Sequence, residues 1–111
     1  MQITVYLRED FAHNVPIGAF SVSYGSAGDL VSKLLAHDGG PVVIDSTGID
    51  DEGQRAVAAT LREHGLICIE VRRERWDGFS PSPLSAACRG VIAGFGDAGI
   101  AAAVRLLAEQ P

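Results

Sequence analysis

Basic side chains are scarce in this sequence of 111 residues. Nine Lys and Arg residues stand against 14 Asp and Glu residues, so the formal net charge is −5 at pH 7. A nucleic-acid-binding surface needs a basic face that displaces counterions from the phosphate backbone. The charge balance therefore argues against a nucleic-acid partner.

Long apolar runs are missing too. They fall far short of the roughly 20 residues that span a bilayer, so we expect no membrane partner. The first ten residues, MQITVYLRED, alternate apolar and polar side chains and include acids. This is not the pattern of a secretory signal, and we expect a cytoplasmic protein. Apolar residues make up 47% of the chain and charged residues 21%, a globular composition that fits one domain over residues 1–111.

Cysteine is rare as well. The two cysteines, Cys68 and Cys88, do not have the spacing of a metal site. We expect both to be reduced core thiols, and we expect neither a bound metal nor a cofactor.

The apolar pattern that is present predicts an α/β fold. Alternating apolar residues predict two strands over 3–7 and 20–24, which we expect to pair as an antiparallel hairpin. Later apolar runs predict three more strands: 42–44, 66–71 and 91–93. Capping residues predict the starts of four helices: Ser26, Asp51, Ser82 and Asp97. The element order β-β-α-β-α-β-α-β-α predicts a single small domain with a largely parallel central sheet after the hairpin.

Apolar side chains at helical spacing predict which helix faces turn toward the core. In the first two helices these are Ala27, Leu30, Val31, Leu34 and Leu35, then Gly53, Ala56, Val57, Thr60 and Leu61. In the last two they are Leu84, Ala87 and Cys88, then Ile100, Ala103, Val104 and Leu107.

The segment Pro41–Gly53, PVVIDSTGIDDEG, is the most informative part of the chain. It starts with three apolar residues that do not alternate, which predicts a strand buried on both faces. Small polar residues after such a strand lie at the edge of the sheet where α/β domains bind ligands. The segment predicts a partner-binding site of seven residues: Asp45, Ser46, Thr47, Gly48, Asp50, Asp51 and Glu52. Its acids suit a protein partner with a basic surface.

Catalytic interpretations of Asp45 each lack a required group. In a receiver-type domain Asp45 would accept a phosphoryl group, with Glu9 and Asp10 as magnesium ligands. Such domains also carry a lysine at a late strand end, whereas the only lysine here, Lys33, lies on the first predicted helix. A phosphatase of the haloacid-dehalogenase type needs a second aspartate where Thr47 stands.

Serine–histidine catalysis has candidate residues as well, but no sequence motif links them. The candidate nucleophiles are Ser46 and Ser82, and the candidate bases are His13, His37 and His64. His37 and His64 are predicted to fall in the last turns of helices, where histidine complements the helix dipole. We therefore expect no enzymatic activity.

A glycine-rich turn near the end of the sequence offers a different kind of site. Residues 94–99, GFGDAG, match the G-x-G-x-x-G pattern between a predicted strand and a predicted helix. Only 12 residues follow, too few for the second strand and acid of a dinucleotide fold. The alternative to partner binding is a nucleotide or acyl-thioester site on this turn. Its residues would be Gly94, Gly96 and Gly99, with Arg72, Arg73 and Arg75 receiving phosphates.

The stretch VVIDSTGI (Val42–Ile49) resembles the central strand and turn of STAS domains, the fold of bacterial anti-sigma-factor antagonists. The later elements follow in that family's order over nearly the whole chain. The resemblance implies a non-enzymatic regulatory domain that binds an anti-sigma-type or other basic-surfaced protein. A homodimerising accessory domain is a further alternative.

Members of that family that act as switches carry Asp-Ser-x-Gly at the start of the next helix. Here the matching stretch is Asp50-Asp51-Glu52-Gly53, with Asp51 in place of the phosphorylated serine. The resemblance therefore implies a domain without that switch, and Ser46 and Thr47 are the alternative phosphorylation sites.

A second resemblance covers less of the chain. Pro83–Ala102 is similar to the strand–turn–helix of crotonase-type enzymes, whose glycine-rich turn supplies backbone N–H groups to an oxyanion hole. Gly94 and Gly96 match those positions. This interpretation would make residues 83–93 one strand, in place of a helix and a short strand.

Overall fold

The computed structural model describes residues 2–9, 19–74, 82–96 and 98–109. The strands are β1 (Ile3–Arg8), β2 (Ala19–Tyr24), β3 (Val42–Asp45), β4 (Cys68–Arg72) and β5 (Gly90–Ala93). The helices are α1 (Ala27–Leu35), α2 (Asp51–His64) and α3 (Ala98–Glu109), and a short 3₁₀ turn, Ser85–Ala87, precedes β5. Within these ranges, no helix combines the length and the apolar character that crossing a bilayer requires.

The five strands form one sheet in the order β2-β1-β3-β4-β5, and each neighbouring pair is parallel. The predicted α/β domain with a largely parallel sheet is confirmed. This strand order is that of flavodoxin-like doubly wound sheets. The order reverses between β1 and β3, and sheets of this kind bind ligands at the carboxyl ends of the strands beside such a reversal.

The predicted antiparallel pairing of the first two strands is wrong. β1 and β2 are parallel, with Ile3 beside Ala19 and Arg8 beside Tyr24. Alternation of apolar residues shows which side chains face the core, but it does not show which way a strand runs. Parallel neighbours need a crossover instead of a tight turn. Most of that connection, residues 10–18, lies outside the described residues.

Helices on both faces of the sheet give the core two layers. The layer under α1, α2 and the 3₁₀ turn contains Leu30, Leu61 and Leu84. The layer under α3 contains the predicted buried face of that helix: Ile100, Ala103, Val104 and Leu107. β3 contributes to both layers: Val42 and Ile44 to the first, Val43 to the second. Burial of β3 on both faces is therefore confirmed.

The start of α1 is as predicted, and α2 begins one residue earlier than predicted. The backbone N–H of Asp29 donates to Ser26 Oγ at 3.1 Å, which caps α1. In α2 the cap is Asp50, whose Oδ1 accepts from the backbone N–H of Gly53 at 2.8 Å. Asp51 is the first helical residue, because Asp50 already has the extended backbone of a cap.

Two predicted core positions on these helices are wrong. Leu35 is 54% exposed because α1 ends there, beyond the edge of the packed layer. Ala56 is exposed and Ala58 is buried in its place. Gly53 is buried as predicted and lets the two helices approach closely, since a Cβ there would lie 2.7 Å from the Cβ of Ala27.

The predicted helix after Ser82 is reduced to the 3₁₀ turn. Ser82 does not cap it, because the Ser82 hydroxyl bonds to Gln54 and Ser85 instead. Leu84 is buried as predicted. The crotonase-type alternative of one strand over residues 83–93 is wrong, since the strand begins only at Gly90. The predicted cap Asp97 lies outside the described residues.

His37 joins the end of α1 to the sheet and does not lie in the last turn of that helix. Its Nδ1 lies 3.0 Å from the hydroxyl of Tyr6, and its Nε2 lies 3.1 Å from the carbonyl oxygen of Gly40. A carbonyl oxygen can only accept, so Nε2 carries the proton and Nδ1 accepts from Tyr6. His37 therefore has a structural role. His64, by contrast, is the last residue of α2, as predicted.

Three buried acids with raised pKa values predict that the domain loses stability in alkaline solution. Burial raises the pKa of the Cys68 thiol well above its ordinary value of 9.0, and burial likewise raises the pKa values of Tyr6 and Tyr24 above 10.0. Above pH 9 the unfolded chain releases protons that the folded chain keeps, so the free energy of unfolding falls as the pH rises.

Thermal melts in reducing buffer should therefore give a Tm that is steady up to about pH 9 and falls above it, more steeply beyond about pH 10. Tyr24→Phe removes one of the titrating groups and should flatten the decline above pH 10. A Tm that stays constant to pH 11 in the wild type would contradict this prediction.

Candidate functional site

The carboxyl ends of β3 and β4 bring two buried carboxylates to the same edge of the sheet. Asp45 ends β3 and is fully buried. Its Oδ2 accepts from Arg73 Nε at 2.8 Å, and its Oδ1 accepts from the backbone N–H of Thr47 at 3.1 Å. Both oxygens of this carboxylate are therefore engaged, one by an arginine and one by the turn that follows it.

The turn after Asp45 is fastened to three neighbouring strands. The Tyr24 hydroxyl at the end of β2 donates to the Asp45 carbonyl oxygen. Burial, together with the nearby Asp45 charge, raises the pKa of Tyr24, so this hydroxyl keeps its proton. Arg8 Nη1 at the end of β1 donates to the Thr47 carbonyl at 3.3 Å, and the Arg73 N–H donates to Thr47 Oγ1 at 3.0 Å.

Glycine is required at position 48, where the turn passes under Arg8. The φ angle of Gly48 is +85°, and a Cβ there would collide with the Arg8 guanidinium group. The backbone conformation disfavours any other residue, and a Cβ would also push the Arg8 guanidinium group away from the Thr47 carbonyl.

Glu70 is the second buried carboxylate, and it collects polar groups from several elements. It is fully buried on β4. Its Oε2 accepts from Ser46 Oγ at 2.5 Å and from Arg72 Nε at 2.8 Å, and its Oε1 accepts from Ser85 Oγ at 2.8 Å. Ser82 adds to the cluster by bonding to Arg72 and to Ser85. We call Asp45 and Glu70 the buried carboxylates. Asp45 pairs with Arg73, and Glu70 pairs with Arg72.

Glu70 was missed by the sequence analysis. It stands in the apolar run LICIEV, where a lone acid reads as the solvent-facing position of a half-exposed strand. The structure explains why this acid matters, since β4 lies between two other strands and its side chains are buried on both faces. An acid in such a strand needs a cation nearby, and Arg72 follows two residues later.

The geometry gives no support to the catalytic interpretations. Asp45 is occupied by Arg73 and by the Thr47 N–H, and Lys33 lies away on α1. Ser46 Oγ points to Glu70 and makes no bond to a histidine in the described part of the chain. Among the residues that the structure describes, no three His, Cys, Asp or Glu side chains are grouped to hold a metal ion. Asp10 and His13 lie outside those residues.

The seven predicted partner-binding residues divide into buried and exposed members. Asp45 and Ser46 are buried, so they hold the turn in place and do not present their side chains to a partner. Thr47 is half-buried. The exposed members are Gly48, Asp50, Asp51 and Glu52. We call the three exposed acids, Asp50, Asp51 and Glu52, the acidic rim.

The described residues of the alternative ligand site are already engaged by other parts of the protein. The N–H groups of Gly94 and Gly96 donate to the carbonyls of Arg72 and Arg73, at 3.1 and 3.4 Å, so they are not directed at a ligand or an oxyanion. Gly99 is buried, and a Cβ there would lie 3.0 Å from Val71 Cγ1. Arg72 and Arg73 pair with the buried carboxylates, and Arg75 lies outside the described residues.

Two open clefts flank the turn after β3. One, of about 370 Å³, lies between that turn and the start of α1, beside the β1–β3 reversal, and is lined in part by Arg8, Tyr24 and Asp50. The other, of about 270 Å³, lies on the β4 side and is lined in part by Gln54 and Arg72. The rim acid Asp50 thus lines the first cleft.

Comparison with known proteins supports the fold alone. No protein-family model matches the chain, and no curated protein sequence matches it. A solved structure from Burkholderia thailandensis, named as a pilus assembly protein (CpaE), is similar over 99% of this chain and 99% of its own. The TM-score is 0.62 and the sequence identity is 19%. A likeness at that identity shows a shared architecture and does not carry the neighbour's role to this chain.

Proposed function

We propose that the chain is a non-enzymatic regulatory domain that binds a basic surface of a protein partner through the acidic rim. One observation supports this above the others. Each buried carboxylate at this edge of the sheet is paired with an arginine. Asp51 and Glu52 are exposed and form no ion pair with any of the described residues. Their charges are therefore available to a partner.

The position of the acidic rim favours recognition. Its three acids lie at the cap and in the first turn of α2, where the helix dipole stabilises negative charge. The turn before them is fastened to β1, β2 and β4, so a partner meets a preformed surface. With a net charge of −5 the whole chain also attracts a basic partner at long range, which speeds encounter at low salt.

The resemblance to STAS domains stays a prediction within this proposal. If the domain is of that type, its partner is an anti-sigma-type regulator or a similar basic-surfaced protein. A role in pilus assembly, as in the name of the structural neighbour, is a different and narrower proposal. The identity of the captured partner would distinguish the two.

The test is comparative capture followed by calorimetry. The immobilised wild-type domain and an Asp51→Lys/Glu52→Lys variant are each exposed to a lysate of the cells that make the protein, and bound proteins are quantified by mass spectrometry. We expect one or more basic proteins to bind the wild type and to be depleted on the variant. For the purified partner, calorimetry should show about tenfold weaker binding at low salt, with a smaller difference at high salt.

An Asp38→Lys/Glu63→Lys variant is the matched control. It makes the same change in net charge at exposed positions away from the acidic rim, and it should bind like the wild type. Equal loss in both variants would show that net charge alone drives binding. Undiminished binding by the rim variant would overturn the assignment of the site.

A further inference from the structure

Cys68 and Cys88 form a pair of nucleophilic side chains that the proposed function does not use. They lie at the amino-terminal edge of the sheet, opposite the acidic rim, where Cys68 begins β4 and Cys88 comes just before β5. Both are free thiols. Cys68 is fully buried, and Cys88 is half-buried against the same core layer.

The register of the sheet places the two residues at the separation that a disulfide needs. Ile69 lies beside Gly90 at the start of the paired stretch. In this sheet a carbonyl accepts from the residue after its neighbour, as the Val71 carbonyl does from Ser46, so the bond from the Arg89 N–H to the Cys68 carbonyl at 2.8 Å places Cys88 beside Cys68. With strands about 4.8 Å apart, the Cα atoms of Cys68 and Cys88 are roughly 5 Å apart, and both side chains pack in the same core layer. Disulfides span Cα separations of about 4.4–6.8 Å.

We propose that Cys68 and Cys88 are an oxidation site, at which exchange with a low-molecular-weight disulfide such as oxidised glutathione closes an intramolecular disulfide. Cys88 is the entry point, because its side chain is partly exposed and Cys68 is sealed from solvent. Cys68 is the resolving thiol, because it lies beside Cys88 in the same core layer. This inference is independent of the acidic rim.

The exchange takes place in two balanced steps. The Cys88 thiolate attacks one sulfur of oxidised glutathione, which forms a mixed disulfide and releases one glutathione thiolate. The Cys68 sulfur then attacks Cys88 Sγ and releases the second glutathione, whose departing thiolate takes up the proton of the Cys68 thiol. Two electrons pass from the protein thiols to the glutathione disulfide, and two glutathione thiols leave.

Intact-mass spectrometry of the full chain with oxidised glutathione tests the proposal. The wild type should lose the mass of two hydrogens and carry no adduct, peptide mapping should link Cys68 to Cys88, and a reductant should reverse both changes. Cys68→Ser should stop at the mixed disulfide on Cys88, and Cys88→Ser should stay unreacted. The bond closes a loop of moderate length, so the oxidised wild type should melt roughly 10 °C higher than the reduced form.

Several results would overturn the proposal. These are a wild type that stops at the mixed disulfide, two thiols that both resist oxidation, a disulfide between two chains on a non-reducing gel, or a linked form that melts lower than the reduced one. If Cys68→Ser does not fold, the peptide map of the wild type still decides, because it uses the unmodified chain.

Discussion

Replacing Asp45 with alanine should lower the free energy of unfolding by about 3–5 kcal/mol, because it removes the carboxylate that pairs with the largely buried guanidinium group of Arg73. The Arg73 side chain is only 12% exposed, and its Nε donates to Asp45 at 2.8 Å. The substitution also leaves the Thr47 N–H without its acceptor. Urea denaturation followed by circular dichroism measures the change as a lower midpoint with an unchanged slope.

Two matched variants separate the parts of this effect. Asp45→Asn keeps an oxygen near the Thr47 N–H but removes the negative charge. Any additional loss of stability in Asp45→Ala therefore measures the hydrogen bond to the Thr47 N–H. Asp45→Leu combined with Arg73→Met removes both charges, and it should be much less destabilising than Asp45→Ala. If Asp45→Ala costs less than about 1 kcal/mol, Arg73 is not held in a dry environment, and our description of this pair is wrong.

Replacing Glu70 with alanine should have an effect of similar size, about 3 kcal/mol or more, because three donors lose their acceptor at once. Ser46 and Ser85 lie on either side of the carboxylate, and Arg72 completes the set. Arg72 is 17% exposed, so water can solvate part of its charge after the change. We therefore expect Glu70→Ala to lower the free energy of unfolding by no more than Asp45→Ala does.

Serine variants serve as the controls for Glu70. Ser46→Ala and Ser85→Ala each remove one hydrogen bond to a charged acceptor and should each cost about 1.5–3 kcal/mol. In the Glu70→Ala background the same serine changes should cost much less, because their partner is already gone. Denaturation of the three single and two double variants measures this coupling. Additive costs would show that the hydroxyls act independently of Glu70.

Some of the fold could be predicted from the sequence because the signals were local and came from burial. The unbroken apolar run of β3 can be buried on both faces only between two layers of helices, and the structure places it there. The apolar spacing of α3 likewise identified its buried face. The direction of β2 could not be predicted in this way, because alternation is the same for parallel and antiparallel strands. That choice depends on the course of the chain between the strands.

The candidate site was located by its place in the sequence, but its internal arrangement could not be foreseen. The acidic rim follows from acids next to a helix start, and the structure shows these side chains exposed. The pairing of Asp45 with Arg73 joins residues 28 positions apart, and no local pattern encodes it. The alternative interpretation assigned Arg72 and Arg73 to phosphates, but both pair with buried carboxylates. A long-range ion pair depends on the register between β3 and β4.

The separation of 28 residues between Asp45 and Arg73 also bears on how the chain folds as it leaves the ribosome. A nascent chain that ends before residue 73 has made β1, β2 and β3, but it holds a carboxylate whose counterion has not yet been synthesised. Burying that carboxylate without its counterion would cost several kcal/mol. We therefore expect the first half of the domain to stay open at this edge until β4 and Arg73 emerge.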